Sequence, residues 1–299
     1  MGQGKCGIKI FNRYTGKCEE EPICGEWFLR FAYGTLPGRL LQWAVGCRPF
    51  FSRLAAIYAN GHRSAGKILP FIRRYGIDAG ESLIPVGQFR TFNDFFRRRL
   101  RPDARPIHGS QCAIIAPADG RYFFIPNLDR QSAIFIKGRR IVLRKLFGRS
   151  CLAEKFYGGC AVIARLSPLD YHRFHFPCNG LPRVAESVEG PLHSVHPLAL
   201  GRVASLCQNR RHVTRIAVAD GEMAMVEVGA TFIGSIGQTY TANRHVKKGT
   251  EKGFFSFGGS AILLFFERNR VVPEDDIARQ STLGMETYVR MGDIILKHL

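Results

Sequence analysis

The sequence predicts an α+β fold: N-terminal amphipathic helices followed by a β-rich, sandwich- or barrel-like domain. Three observations carry this. Apolar residues recur at helical spacing between residues 25 and 76. Beyond residue 112 the chain changes to short runs of β-branched and aromatic residues separated by Gly, Pro and Asp. With 45% hydrophobic and 11% aromatic residues in 299, the chain can bury a sizeable core, which excludes long intrinsic disorder.

Residues 1–21 are polar and basic, with no apolar block ahead of a small-residue cleavage site, so no export signal is expected. Between residues 25 and 76, Trp27, Phe28 and Phe31, then Leu36, Leu40, Leu41 and Ala44, then Phe50, Leu54 and Ile57 fall at helical spacing. Gly34, Pro37, Gly38, Gly46 and Pro49 cut this stretch into short pieces. Arg30, Arg39, Arg48 and Arg53 interleave with the apolar positions. That composition suits helices lying in a lipid headgroup layer, and also a helical subdomain packed on a core. The longest mainly apolar stretches, residues 40–45 and 261–266, are far shorter than the roughly 18 residues of a spanning helix, so membrane contact is expected to be peripheral. A further helix is expected at residues 92–100, with Thr91 as its cap and Asp94 in its first turn. Strands are expected at residues 113–116, 122–125, 133–136, 160–166, 213–218, 223–228, 231–236 and 261–266. The natural division is a helical region, 1–110, and a β-rich domain, 111–299.

Charge narrows the partner. Basic residues number 43 and acidic residues 24, a net charge of +19 that predicts an anionic partner, either nucleic acid or an anionic membrane surface. Nine cysteines are scattered without a C-x-x-C pair, which suits reduced thiols in a cytosolic setting better than a disulfide framework or a zinc site. Neither G-x-G-x-x-G nor a P-loop follows any expected strand, so nucleotide chemistry has no support.

Three segments could carry chemistry. The first spans residues 167–177 and sets His172 and His175 three residues apart between two prolines; such a pair can act as acid and base, or sit satisfied in a loop. No third ligand stands at metal-site spacing. The second is Pro117-Ala118-Asp119-Gly120, ordinary turn chemistry in which the Asp could also orient an imidazole. The third is Gly258-Gly259-Ser260, between apolar runs. It reads as a tight hairpin, or as a place where unhindered backbone lets the Ser260 hydroxyl face the Gly259 carbonyl carbon.

Taken together, these segments resemble the phosphatidylserine decarboxylase proenzymes, a pyruvoyl-dependent family. The resemblance runs through Phe92-Asn93-Asp94-Phe95-Phe96-Arg97, Arg105-Pro106-Ile107, Pro117-Ala118-Asp119-Gly120 and Asp170-Tyr171-His172-Arg173-Phe174-His175. It continues through Gly229-Ala230-Thr231 and Gly234-Ser235-Ile236 to Gly258-Gly259-Ser260. It implies that Asp119 holds His175, that His175 takes the proton of Ser260, and that Ser260 attacks the Gly259 carbonyl. Cleavage between Gly259 and Ser260 would divide the catalytic domain's chain into 1–259 (β chain) and 260–299 (α chain), which stay associated. Ser260 would become a pyruvoyl group, the cofactor, with no metal required. The resemblance further implies that this group forms a Schiff base with phosphatidylserine and acts as electron sink while carbon dioxide leaves, that His172 serves as acid and base, and that phosphatidylethanolamine is released.

The substrate is then an anionic phospholipid. The enzyme is expected at the cytoplasmic side of the cell membrane, peripherally bound through the helical region, and a homo-oligomer is an open option. Of the 43 basic residues 32 are Arg, the side chain better suited to phosphate. Two features depart from the family: Ala261 follows Ser260, and Asn209-Arg210-Arg211 stands where relatives often have an acid. His193, His196, His212 and His245 read as structural or surface residues. The rival readings are a basic nucleic-acid-binding protein, supported by Arg97-Arg98-Arg99, and a catalytically inactive membrane-binding scaffold.

Overall fold

A computed structural model describes residues 8–41, 56–128, 134–136, 139–195, 205–230, 236–258 and 260–299. Gly259 and residues 231–235 of the expected strand 231–236 lie outside the described residues, as do Phe50, Leu54 and His196.

A ten-stranded sheet organises the fold. Along its main path the strands run Glu186–Val188, Arg211–Val218, Gly221–Gly229, Ser260–Phe266, Cys160–Leu166, Gly120–Ile125, Glu286–Val289, Lys9–Asn12 and Lys17–Glu20, with Leu181–Pro182 added beside Arg211–Val218. All pairs are antiparallel except Lys9–Asn12 with Glu286–Val289. Three smaller sheets pack around it.

The two central strands explain why the sheet sits inside the molecule. Ser260–Phe266 and Cys160–Leu166 are buried at every position. Ala261, Leu263 and Phe265 face one core, with Phe147, Phe156 and Val226. Ile262, Leu264 and Phe266 face the other, with Val162, Leu166 and Met225. A strand covered on both faces reads as a continuous apolar run rather than an alternating one, which is how residues 261–266 look in the sequence. Each fully buried Leu, Ile or Phe side chain contributes about 1.5–3 kcal/mol, so these strands anchor whatever stands at their ends.

Mixed α and β structure is present, mostly sheet with a few helices, and two expectations need correction. The chain does not open with amphipathic helices: its first described elements are the strands Lys9–Asn12 and Lys17–Glu20, a hairpin that extends the main sheet. Only Ile10 of the four residues Lys9-Ile10-Phe11-Asn12 is buried, with Phe11 partly exposed beside it, so a period-two signal had almost nothing to register on. Helices come later and are short, Glu26–Gly34, Leu36–Leu41 and Ile68–Tyr75. Nor is there a barrel: among the described residues the sheet is open, with Glu186–Val188 and Lys17–Glu20 at opposite edges. The expected helix at 92–100 covers only Phe92–Phe96, capped as read, with the Thr91 hydroxyl accepting from the Asp94 N–H at 3.1 Å. No helix among the described residues is long and apolar enough to cross a membrane.

Candidate active site

Strand register brings the three sequence segments to one end of the sheet. Ser260 opens its strand directly opposite Leu166, the last residue of the neighbouring strand. Residues following Leu166 therefore lie beside residues preceding Ser260, and the Phe255 N–H donates to the His172 carbonyl at 2.9 Å. On the other side of Cys160–Leu166, Arg121 pairs with Arg165, which puts Asp119 at the same end. The segment carrying His175, Arg173–His175, pairs with Glu251–Phe255, the strand that leads to Ser260.

Each candidate side chain is buried. Ser260 is fully enclosed and its Oγ makes no hydrogen bond. Just before it, Gly258 has φ +142°, a backbone conformation that glycine reaches without a steric penalty. His172 is also fully enclosed: Nδ1 lies 2.9 Å from the Asp170 carbonyl, Nε2 is unbonded, and the ring lies against Phe96 with centroids 4.0 Å apart. Burial pushes the His172 pKa down to about 3, the Asp170 carbonyl raising it and the Arg98 charge lowering it further. Burial also takes His175 down to about 4, against the opposing charge of Glu251; its Nδ1 is buried without a partner. Both imidazoles are neutral near pH 7.

Asp119 points elsewhere than the resemblance implies. Arg105 holds both its oxygens, with Nε–Oδ1 at 2.9 Å and Nη2–Oδ2 at 2.7 Å, and the Met291 N–H donates to Oδ1 at 2.8 Å. The other edge of Arg105 grips Glu81 at 2.9 and 3.0 Å. With its oxygens taken, the carboxylate makes no hydrogen bond to His175, but its charge raises the proton affinity of both His172 and His175.

Several residues around the site were not singled out by the sequence. Asp170 accepts from the Ser167 N–H at 2.6 Å and from Arg121, which fixes the turn that carries His172. Burial lifts the Asp170 pKa to about 6, although Arg121 opposes this. Arg121 also meets Glu21 at 2.9 Å, and Arg165 joins Glu21 and Glu286 at 2.7 Å each, so a chain of buried ion pairs underlies this end of the sheet. Asn93 accepts from the Phe257 N–H at 3.1 Å, while Phe92 and Phe96 pack edge-on against Phe257 at 5.1 and 5.2 Å. The helix Phe92–Phe96 thus braces the segment before Ser260. The alternation of charge and apolar residues in F-N-D-F-F-R was the available signal, but only as a helix.

Phe257 and Phe92 also line an apolar pocket of about 470 Å³, with Tyr58, Phe71 and Tyr75 around it and Lys67 and Arg74 among its lining residues. Among the described residues, no group of three or more His, Cys, Asp or Glu side chains is placed to hold a metal ion.

A sequence model of the phosphatidylserine decarboxylase family matches residues 92–297. The phosphatidylserine decarboxylase proenzyme of Clostridium tetani (strain Massachusetts / E88) is 41% identical to this chain, over 97% of this chain and 98% of its own length. That of Chlamydia pneumoniae is 41% identical over 95% of each. The chain belongs to the phosphatidylserine decarboxylase family. The family match takes in every segment at the site and all of the main sheet but the strands Lys9–Asn12 and Lys17–Glu20, and it does not favour a nucleic-acid-binding protein or an inactive scaffold. The three segments that sequence alone could relate only by resemblance are those that the strand register gathers. His212, half-buried, has its Nδ1 3.2 Å from the Gln238 side-chain nitrogen and stands outside this group; His193 is also half-buried, and His245 is exposed.

Proposed function

We propose that the chain is a phosphatidylserine decarboxylase made as a self-cleaving precursor, with Asp119, His172, His175 and Ser260 as its working residues. The observation that carries this is the gathering of an unbonded, buried serine hydroxyl and two buried, neutral imidazoles at one end of a rigid sheet, inside a family of proenzymes.

In the precursor, His175 accepts the Ser260 hydroxyl proton, and Oγ attacks the Gly259 carbonyl carbon to turn the peptide bond into an ester. A neutral imidazole has the lone pair this needs, and Asp119 offsets the positive charge that forms. Loss of the Ser260 α-proton then expels the Gly259 carboxylate, and hydrolysis of the resulting dehydroalanine releases ammonia and leaves a pyruvoyl group. Chains 1–259 and 260–299 stay together because residues 261–266 are locked between two neighbouring strands. The residues fit such a group: Oγ would leave with the Gly259 carboxylate and Cβ would become a methyl group, and because Ser260 Oγ has no hydrogen-bond partner its loss strands no donor or acceptor. When present, the pyruvoyl group supplies an electron sink for removing a carboxyl group next to an amine. His172, held by the Asp170 carbonyl and stacked on Phe96, offers the Nε2 lone pair to take a proton from solvent and pass it to the carbon that loses its carboxyl.

The apolar pocket at Phe257 receives the hydrophobic part of a phospholipid. The helical part of residues 1–110 meets the bilayer peripherally: Trp27, Leu36, Leu41, Ile57 and Leu69 are exposed large apolar side chains, and Arg30, Arg63, Lys67, Arg73 and Arg74 stand in the same region.

Intact-mass analysis of the purified protein tests the reading. It should give two chains divided after Gly259, the smaller blocked to Edman sequencing, and Ser260→Ala should remain one 33.6 kDa chain without decarboxylase activity. A folded, uncleaved wild type that decarboxylates phosphatidylserine would overturn the proposal.

A further inference from the structure

We propose that the arginine-lined pocket around Arg98 binds a phosphate group. The pocket has a volume of about 360 Å³, and Arg90, Arg97, Arg98, Arg99 and Arg173 line it with Asp94. Asp119, His172, His175 and Ser260 are not among its lining residues.

The charges there do not balance. Arg97 pairs with Asp94 at 3.3 Å, Arg173 with Glu251 at 2.8 Å, and Arg99 reaches the same Glu251 at 4.0 Å. Two carboxylates thus face five guanidinium groups. Arg98 is the decisive residue, because it is only 6% exposed and its Nε makes no hydrogen bond. Its Nη1 lies 3.4 Å from the Phe95 carbonyl, and its guanidinium lies 4.7 Å from the centre of the Phe95 ring. Among the described residues no carboxylate lies at ion-pair distance from Arg98; burial lowers its pKa, and the charges of Asp119 and Glu81, both already held by Arg105, oppose this only from further away. An oxyanion in the pocket supplies the missing partner. Guanidinium forks match phosphate oxygens, and several converging arginines favour a multiply charged group. Exposed Leu83 and Ile84 give the pocket an apolar side as well, which fits a phosphate carried by an amphiphile. The phosphate comes either from a lipid headgroup or from solution. The proposal is independent of the decarboxylase reading, because binding is measured without turnover.

The test titrates inorganic phosphate into the wild-type protein by calorimetry, and in parallel sediments the protein with phosphatidylcholine vesicles made with and without phosphatidic acid. Two variants are compared, Arg98→Gln and the surface pair Arg90→Ala with Arg99→Ala. Arg268→Ala with Arg270→Ala, also exposed, is a control of equal charge loss. Saturable phosphate binding that weakens at least about tenfold in both pocket variants, but not in the control, is expected. If phosphatidic acid recruitment weakens in the same two variants, the phosphate belongs to a lipid. If only the calorimetric binding responds, it comes from solution. Absence of saturable phosphate binding together with recruitment indifferent to Arg90 and Arg99 overturns the proposal, as does equal weakening by the control. Should Arg98→Gln fail to fold, the surface pair decides alone.

Discussion

Mild acid should destabilise the uncleaved chain through two named imidazoles. The perturbation is a shift from pH 7.5 to pH 5.0 in the Ser260→Ala chain, repeated with His172→Gln added. Burial first of all takes the His172 pKa to about 3 and the His175 pKa to about 4, against 6.5 for an ordinary histidine. A folded-state pKa below the unfolded value means that protons bind the unfolded chain preferentially. The stabilisation is therefore complete above pH 6.5 and is lost as pH falls toward 4 and then 3. At pH 5.0 an unfolded imidazole is almost wholly protonated while its folded counterpart is not, a difference of about 2 kcal/mol for each residue and about 4 kcal/mol for the pair. His212, also lowered to about 4 by burial, adds in the same direction but is common to both chains and cancels in the comparison. Urea unfolding at the two pH values measures the loss. The Ser260→Ala chain should lose about 2 kcal/mol more than the chain that also carries His172→Gln. A difference within ~0.5 kcal/mol, the usual error of additivity, would refute the claim that His172 is held neutral in the folded chain.

Two further outcomes follow from the same geometry. Arg105→Leu removes the fork that clamps Asp119 and Glu81, leaving Asp119 buried with its charge uncompensated; the expected loss is about 3–5 kcal/mol in urea unfolding, and a loss below ~1 kcal/mol would show that the clamp is not closed in solution. Trp27→Ser combined with Leu36→Ser removes two of the most exposed large apolar side chains, so sedimentation with anionic vesicles should weaken while self-cleavage, read by intact mass, proceeds unchanged. Unaltered vesicle binding would move the membrane face to another part of the surface.

Legibility in the sequence followed burial. The strands Ser260–Phe266 and Cys160–Leu166 are apolar throughout because both faces are covered, and they stood out without any knowledge of the fold. The hairpin Lys9–Asn12 with Lys17–Glu20 was missed, because it is held at a sheet edge by pairing with the distant Glu286–Val289 and carries few apolar residues of its own. Nothing in the sequence singled out Arg121, Arg165, Glu21 and Glu286; they are buried because they meet one another across a hundred or more residues of sequence. Distances along the chain hide such partners. Asp119, His172, His175 and Ser260 were put forward on the resemblance that their segments carry together, but the clamp of Arg105 on Asp119 needed the fold, since nothing in R-P-I-H says which carboxylate it meets.

The distribution of unsatisfied polar groups is a further argument for where chemistry resides. A buried hydroxyl or imidazole nitrogen left without a hydrogen bond costs about 1–3 kcal/mol, and most folds avoid it. Ser260 Oγ, His172 Nε2 and His175 Nδ1 all carry that cost at the same end of the sheet. Beside them, Asp170 and Asp119 are bonded to Arg121, Ser167, Arg105 and Met291. The surrounding ion pairs hold the backbone while leaving the atoms proposed to react uncommitted. The proposed roles need that condition: a hydroxyl committed to another partner is not free to turn to its base, and an imidazole whose lone pair is already engaged cannot take a proton.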